Sequence, residues 1–326
     1  TPFRDILSLP PGCQLIAGGH SHKVRRYFAL EPLPHEDDLK HTVETVRYLC
    51  DQAVAELMPL RPASMLSGGL DSTALTALMA RHTDRPVDSY SVDYEDNQRY
   101  YEPTEFQPER DAPYALLASE ILKTNHRTVM LTTENLMASL DEAMALRGFP
   151  GMADIDAALM LLTRNIAQNH PAVVSGECGD EVFGGYPWFH RPPWIGADSF
   201  PWSGSLQLRE QVLKPKVREK LRLSEYVAAR YHEAVAALPR SSQDAPEEAR
   251  LRQLHGLCFQ WFMPNLQERA LRMSPVPILT PYCDDRLVQY VYNVPWSMKN
   301  TGGIEKGLLR EAMRDLLPEP LLMRRK

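Results

Sequence analysis

A short apolar run, a glycine turn and then a helix-like stretch occur twice in this chain, and that repetition limits the fold more than any other feature. The first copy is Pro62-Ala63-Ser64-Met65-Leu66, then Ser67-Gly68-Gly69-Leu70-Asp71-Ser72, opening a helix expected over residues 72–82. The second is Ala172-Val173-Val174, then Ser175-Gly176-Glu177-Cys178-Gly179-Asp180-Glu181. Around them, strands expected at 65–67, 87–92, 127–131 and 172–175 alternate with helices at 36–56, 72–82, 111–122, 134–146 and 154–167. Such alternation specifies a parallel sheet with helices on both faces. Ligands of open parallel sheets bind outside the C-terminal strand ends. Two acid-bearing glycine turns at neighbouring strand ends therefore face one pocket.

The first turn has the parts of an anion cradle. Backbone amides at a helix N-terminus lack intrahelical acceptors and carry the positive end of the helix dipole. Gly68 and Gly69 let the backbone approach a phosphate without a Cβ. Asp71 would repel that phosphate unless a cation lies between them, so the turn reads as a pyrophosphate site completed by magnesium. It is neither a Walker-type loop nor a G-x-G-x-x-G turn. In the second turn, ordinary helix capping accounts for the acids but not for the glycines that accompany them.

The chain has 326 residues, 44% hydrophobic and 24% charged, enough for one large core or two moderate ones. Net charge is −6 and no long basic run occurs, so no electrostatic footprint for nucleic acid is present. No stretch has the roughly 18 apolar residues of a membrane span. Five cysteines without metal or redox spacing read as reduced thiols of a cytoplasmic enzyme. A hairpin is expected over residues 12–28, a long acid- and tyrosine-bearing connection over 92–111, and mostly helical structure from Pro187 onward.

The first turn resembles the pyrophosphate loop of the N-type ATP pyrophosphatases. The second, continuing as Val182-Phe183-Gly184-Gly185-Tyr186, resembles the synthetase domain of the glutamine-hydrolysing asparagine synthetases. Tyr282-Cys283-Asp284-Asp285-Arg286-Leu287-Val288 and Ile304-Glu305-Lys306-Gly307-Leu308-Leu309-Arg310 are similar to that family's later motifs, in the same order. The opening, Thr1-Pro2-Phe3-Arg4 to Gly12, resembles the connection that leaves its glutaminase domain.

The resemblance implies a doubly wound α/β fold of the adenine nucleotide alpha-hydrolase-like type with a mostly helical C-terminal part. It implies three segments: residues 1–35 as linker and hairpin after an absent glutaminase domain, 36–190 as the α/β core, and 191–326 as the helical remainder. It implies an ATP- and Mg2+-dependent ligase that adenylates the side-chain carboxylate of aspartate, or a related acid, and transfers ammonia. The ammonia would come from a glutaminase domain not present here; no nucleic acid or membrane is involved, and homo-oligomerisation is left open.

By the same resemblance, Leu66, Val92, Ser175 and Gly176 lie against adenine or ribose, mostly through backbone atoms. Ser67, Gly68, Gly69, Asp71, Ser72 and Thr73 serve the pyrophosphate, and Asp71 and Asp180 associate with magnesium. Lys306 meets charge developing on the pyrophosphate, and Glu177 is the general base toward ammonia. Cys178, where many relatives have glycine, reads as a packing residue.

Two stretches depart from the family's pattern, the second of them where the acid substrate is recognised. Residues 273–282 are shorter than the family's segment, and Gly151-Met152-Ala153-Asp154-Ile155-Asp156 replaces an arginine-bearing stretch near the acid substrate. Alternatives therefore stay open: an adenylating amide-forming enzyme of β-lactam-forming or peptide-cyclising type, or a catalytically silent relative.

Overall fold

The computed structural model describes residues 3–19, 21–104 and 107–325. Thr1 and Pro2 at the opening of the chain and Lys326 in its basic end lie outside the described residues. The chain forms two compact units, one of residues 1–35 and 186–264, the other of residues 36–185 and 265–326.

The first unit begins with the expected hairpin, β1 (Cys13–Gly18) and β2 (Ser21–Arg26), antiparallel with Gly18 opposite Ser21. The second unit holds the sheet. Its elements run α1 (Leu39–Ala55), β3 (Ala63–Met65), α2 (Leu70–Arg81), β4 (Asp88–Tyr94), α3 (Asn97–Tyr100), α4 (Asp111–Leu122) and β5 (Asn125–Leu131). They continue as α5 (Thr133–Arg147), α6 (Ala153–Ala167), β6 (Val173–Val174) and α7 (Gly179–Phe183). The short helix α3 lies in the long connection that follows β4.

The chain then contributes α8 (Pro192–Ile195), α9 (Leu206–Gln211), α10 (Pro215–Leu221), α11 (Leu223–Ala236) and α12 (Pro246–Leu257) to the first unit. Their apolar core joins Tyr231, Ala234 and Leu257, flanked by Phe200 and Trp202. Helix α13 (Met263–Met273) leads back into the second unit. There follow β7 (Ile278–Leu279), α14 (Asp285–Asn293), α15 (Trp296–Lys299), α16 (Gly307–Met313) and α17 (Glu319–Leu322). Residues 265–326, grouped with the helical remainder on sequence, thus share a compact unit with the sheet.

Five strands pair in the order β5-β4-β3-β6-β7, every pair parallel. The chain starts at β3, moves outward through β4 and β5, then crosses back to lay β6 on the other side of β3. The direction of winding reverses between β3 and β6, which is where open α/β sheets leave a crevice. Register sets Ala63 beside Val173 and Ser64 beside Val174, so both glycine turns leave the sheet side by side.

Strand β7 was not expected from sequence. Residues 273–282 carry prolines at 275, 277 and 281 and fall in the part expected to be mostly helical, yet Ile278 and Leu279 pair with Val173 and Val174. The prolines are compatible with this because β7 is an edge strand.

Alternation of side chains on β3 divides the core. Ala63, with Tyr90 and Val173, packs against Leu162 and Ile166 of α6. On the opposite side Leu66 meets Ala118 of α4 and Leu321 of α17, and Ser64 Oγ hydrogen-bonds Thr76 Oγ1 of α2 at 2.7 Å. Apolar groups face both layers of helices, as a sheet covered on both sides requires. Ile166 is fully buried. Ile166→Ala is expected to lower unfolding free energy by about 2–5 kcal/mol, measured by urea denaturation; a loss below about 1 kcal/mol would contradict this packing.

Candidate active site

The first bond of α2 runs from the Thr73 N–H to the Gly69 carbonyl at 3.0 Å. The amides of Leu70, Asp71 and Ser72 consequently have no acceptor within the helix. Side-chain hydroxyls fix the turn before it: the Ser67 N–H donates to Ser72 Oγ (3.2 Å), Ser72 Oγ donates to the Gly69 carbonyl (3.2 Å), and the two serine hydroxyls are 3.0 Å apart. Gly68 has φ +76°, and a Cβ there would stand 2.3 Å from the Ala115 nitrogen. Glycine is required by backbone conformation and by space together.

The second turn is pressed against the first. A Cβ on Gly176 would lie 2.8 Å from the Ser72 nitrogen, and one on Gly179 2.7 Å from Asp71 Cγ. A Cβ on Gly185 would meet Asp180 Oδ1 and Lys306 Cε at 2.0 and 2.2 Å. The glycine spacing of this motif is therefore set by how closely its backbone approaches Asp71, Asp180 and Lys306.

These three residues meet. Lys306 Nζ is ion-paired with Asp71 Oδ2 and lies 2.6 Å from Asp180 Oδ1, with only 4% of Lys306 exposed. It is not a surface lysine beside Glu305. Its backbone is left-handed (φ +56°), an uncommon conformation for a residue with a side chain. Arg310, itself buried, braces the turn that presents it. The guanidinium donates to the Glu305 carbonyl and to Glu305 Oε1, each at 2.9 Å, and to the Arg324 carbonyl at 3.0 Å.

Tyr282 secures Asp71 from below. Its hydroxyl donates to the Asp71 carbonyl at 3.1 Å, and its ring meets Phe183 edge-on at 5.7 Å. Complete burial, with the nearby Asp71 carboxylate adding to it, pushes the Tyr282 hydroxyl well above its ordinary range, so it stays a neutral donor. In the third motif, Asp284 serves structure. Asp284 caps α14 by accepting the Arg286 N–H at 2.9 Å, and the Arg286 guanidinium also spans to Glu56 at 2.9 and 3.0 Å.

The remaining predicted residues sort by location. Leu66 buries its side chain in the core and donates its N–H to the Tyr90 carbonyl at 2.8 Å. Val92, half-buried, lies near the C-terminal end of β4. The Ser175 N–H donates to the Leu279 carbonyl at 2.9 Å, while its Oγ accepts from the Glu177 N–H at 3.2 Å. Thr73 is fully buried and its Oγ1 has no hydrogen-bond partner.

Cys178 is buried with φ +73°, and its thiol is pushed up by a hydrogen bond with Cys283 and by burial. A packing role fits this environment. In the 151–156 stretch, Asp156 Oδ2 accepts the Met152 N–H at 3.2 Å and lies 3.9 Å from Arg147 Nε.

Glu177 pairs with a residue that no sequence motif singled out. Arg269 Nη2, from α13, donates to Glu177 Oε1 at 3.1 Å, and both side chains are largely buried. The available signal was periodicity. Arg269 falls beside Leu266, Ala270 and Met273 on the inward stripe of its helix, where an arginine calls for a buried carboxylate. Burial pushes the Glu177 carboxyl above its ordinary value, and Arg269 opposes that shift.

The donor set suits an anion held with a hard cation. Amides and hydroxyls line one turn, and two carboxylates stand close enough to share one ammonium group. Among the described residues, no group of three or more His, Cys, Asp or Glu is placed to hold a metal alone. Magnesium commonly takes one or two carboxylates, with waters and phosphate oxygens as its other ligands, so Asp71 and Asp180 are chemically adequate. Among the described residues no helix is long and apolar enough to cross a membrane.

Comparison with known proteins gives a family for this arrangement. The asparagine synthase family profile matches residues 45–326. The chain is 37% identical, over 99% of its length, to asparagine synthetase [glutamine-hydrolyzing] 3 of Bacillus subtilis (strain 168), covering 54% of that protein. It is 24% identical to the asparagine synthetases [glutamine-hydrolyzing] of Mus musculus and Bos taurus, over 92% of this chain and 45% of each relative. The chain spans about half the length of these curated relatives.

The raised Glu177 carboxyl has a consequence for stability. A carboxyl whose folded pKa exceeds its unfolded value holds its proton more tightly in the native state, so its contribution falls as pH rises from 4.5 through the folded value. Over that window the wild type should lose stability relative to Glu177→Gln, as measured by urea denaturation at successive pH values. Parallel stability curves for the two proteins would show that Glu177 is not shifted.

Proposed function

The chain belongs to the asparagine synthase family, and from that premise we propose that it is an ATP-dependent amide ligase. It adenylates the side-chain carboxylate of aspartate and transfers ammonia to it, giving asparagine, AMP and pyrophosphate. The observation that carries this reading is the convergence of Lys306, Asp71 and Asp180 at the crevice between β3 and β6.

Cleavage between the α- and β-phosphates places negative charge on the departing pyrophosphate. The groups beside that charge should stabilise it most where they are already oriented and shielded from water. In this reading the amides of Leu70, Asp71 and Ser72 and the hydroxyls of Ser67 and Ser72 receive the pyrophosphate oxygens. Lys306, held by two carboxylates, adds a fixed positive charge. Asp71 and Asp180 would hold magnesium, which when bound supplies charge neutralisation to the phosphate oxygens. In the same reading Leu66, Val92, Ser175 and Gly176 meet adenine and ribose, mostly through backbone atoms. Glu177 takes the proton that ammonia loses as the amide forms.

With ammonium as nitrogen source, this chain carries out the synthetase chemistry. Soluble, cytoplasmic operation accords with this chemistry, which draws on ATP and free amino acid.

The test is aspartate-dependent exchange of labelled pyrophosphate into ATP, run beside ammonium-dependent asparagine formation. Asp71→Asn is expected to lower exchange by about 100-fold or more by removing charge from the cation site; unchanged exchange would remove Asp71 from the mechanism. Glu177→Gln is expected to retain exchange within about threefold while asparagine formation falls by about 100-fold. Equal losses in the two half-reactions would exclude Glu177 as the base.

A further inference from the structure

Glu177 shows an asymmetry that its assignment as a base does not explain. Oε1 is held by Arg269 Nη2 at 3.1 Å, while Oε2 is buried and has no hydrogen-bond partner. A desolvated carboxylate oxygen without a donor is costly, and native structures rarely keep one without a use. The partner is unusual as well. Arg269 is on α13, a helix outside all four sequence motifs, with its side chain 14% exposed and its Nε also buried without a partner.

We infer that Arg269 is the positioning residue for Glu177: it fixes one carboxylate oxygen, leaving Oε2 as the acceptor for a proton of the incoming nitrogen nucleophile. The inference rests on the amide-ligase reading given above.

The electrostatics are one-sided. Burial disfavours the charged carboxylate, and Arg269 is the charged group that offsets it. Lys306, the other cation at this turn, is ion-paired with Asp71 and Asp180. The Cys178 thiol is held neutral by Cys283 and burial, and Glu181, beyond Cys178 on the same segment, is an acid. Without Arg269 the burial that raises the Glu177 carboxyl is no longer opposed. Its nucleophile-facing oxygen would also be free to turn, because the Oε1 anchor would be gone.

The proton balance is simple. Ammonia forms its new bond to the acyl carbon, AMP leaves with the bonding electrons, and one nitrogen proton passes to Oε2. Arg269 remains the donor to Oε1. It touches no reacting atom and acts through Glu177 alone.

The experiment compares Arg269→Gln and Arg269→Lys with wild type in the two half-reactions and across pH. For Arg269→Gln, aspartate-dependent pyrophosphate exchange should stay within about threefold, while ammonium-dependent amide formation falls by about 100-fold. The acid limb of the amide-forming step should move to higher pH, because Glu177 without its cation ionises later. Arg269→Lys should restore part of the rate and return the limb toward wild type. Equal loss in both half-reactions, or an unmoved acid limb, would overturn the inference.

A readout independent of activity uses thermal melting of Glu177→Gln, Arg269→Gln and the double variant. Each single change leaves a buried partner exposed to its own desolvation cost, so the double variant should melt higher than the summed losses predict. Additive losses would show that the two side chains are not coupled and would also overturn it. Absence of both half-reactions in the wild type would instead defeat the ligase reading, while the melting cycle still judges the pair.

Discussion

One ammonium group between two carboxylates organises this site. Lys306 sits in a turn remote in sequence from Asp71 and Asp180, and its ion pairs bring three segments of the chain to one point. Removing two carboxylates and a lysine from water costs several kcal/mol per ion and is recovered only through close geometry. That demand explains why the surrounding backbone is so restricted. Gly179 leaves room for Asp71, Gly185 leaves room for Asp180 and for the Lys306 stem, and Lys306 itself accepts a left-handed backbone. Arg310 and Tyr282, both buried, hold the two ends of the arrangement from beneath.

The sheet makes this convergence available. Because β6 returns beside β3 rather than beyond β5, two turns separated by about a hundred residues leave adjacent strand ends. Strand β7 extends the same edge and carries Tyr282 and Cys283 beside the second turn through the short helical turn that follows it. The charged groups then divide by task. Under the proposed function, Lys306 with Asp71 and Asp180 is assigned to the phosphate end of the chemistry and Glu177 with Arg269 to the nitrogen end.

Much of this was legible in the sequence where local rules act. Short apolar runs ending in glycine turns located β3, β6 and their ligand-facing loops, and the alternation of elements gave a sheet covered on both faces. Lys306 was legible through its motif, although nothing local distinguished a buried lysine from a solvated one beside Glu305. What escaped was set by long-range pairing. Ile278 and Leu279 become a strand because Val173 and Val174 offer a partner, not through any propensity of a proline-rich segment. Arg269 lies in a helix with no motif, and only the position of Glu177, some ninety residues earlier, gives it a role. The Asp284 and Arg286 pair was visible as a motif, but its work as a helix cap and a brace to Glu56 became apparent only in three dimensions.

The measurement that bears most directly on the central claim is product analysis with this chain, magnesium-ATP and aspartate, with and without ammonium, following AMP and the amino-acid product by mass spectrometry. The account predicts ammonium-dependent asparagine and AMP in equal amounts. AMP formed without asparagine, ADP in place of AMP, or no nucleotide cleavage with aspartate would contradict it.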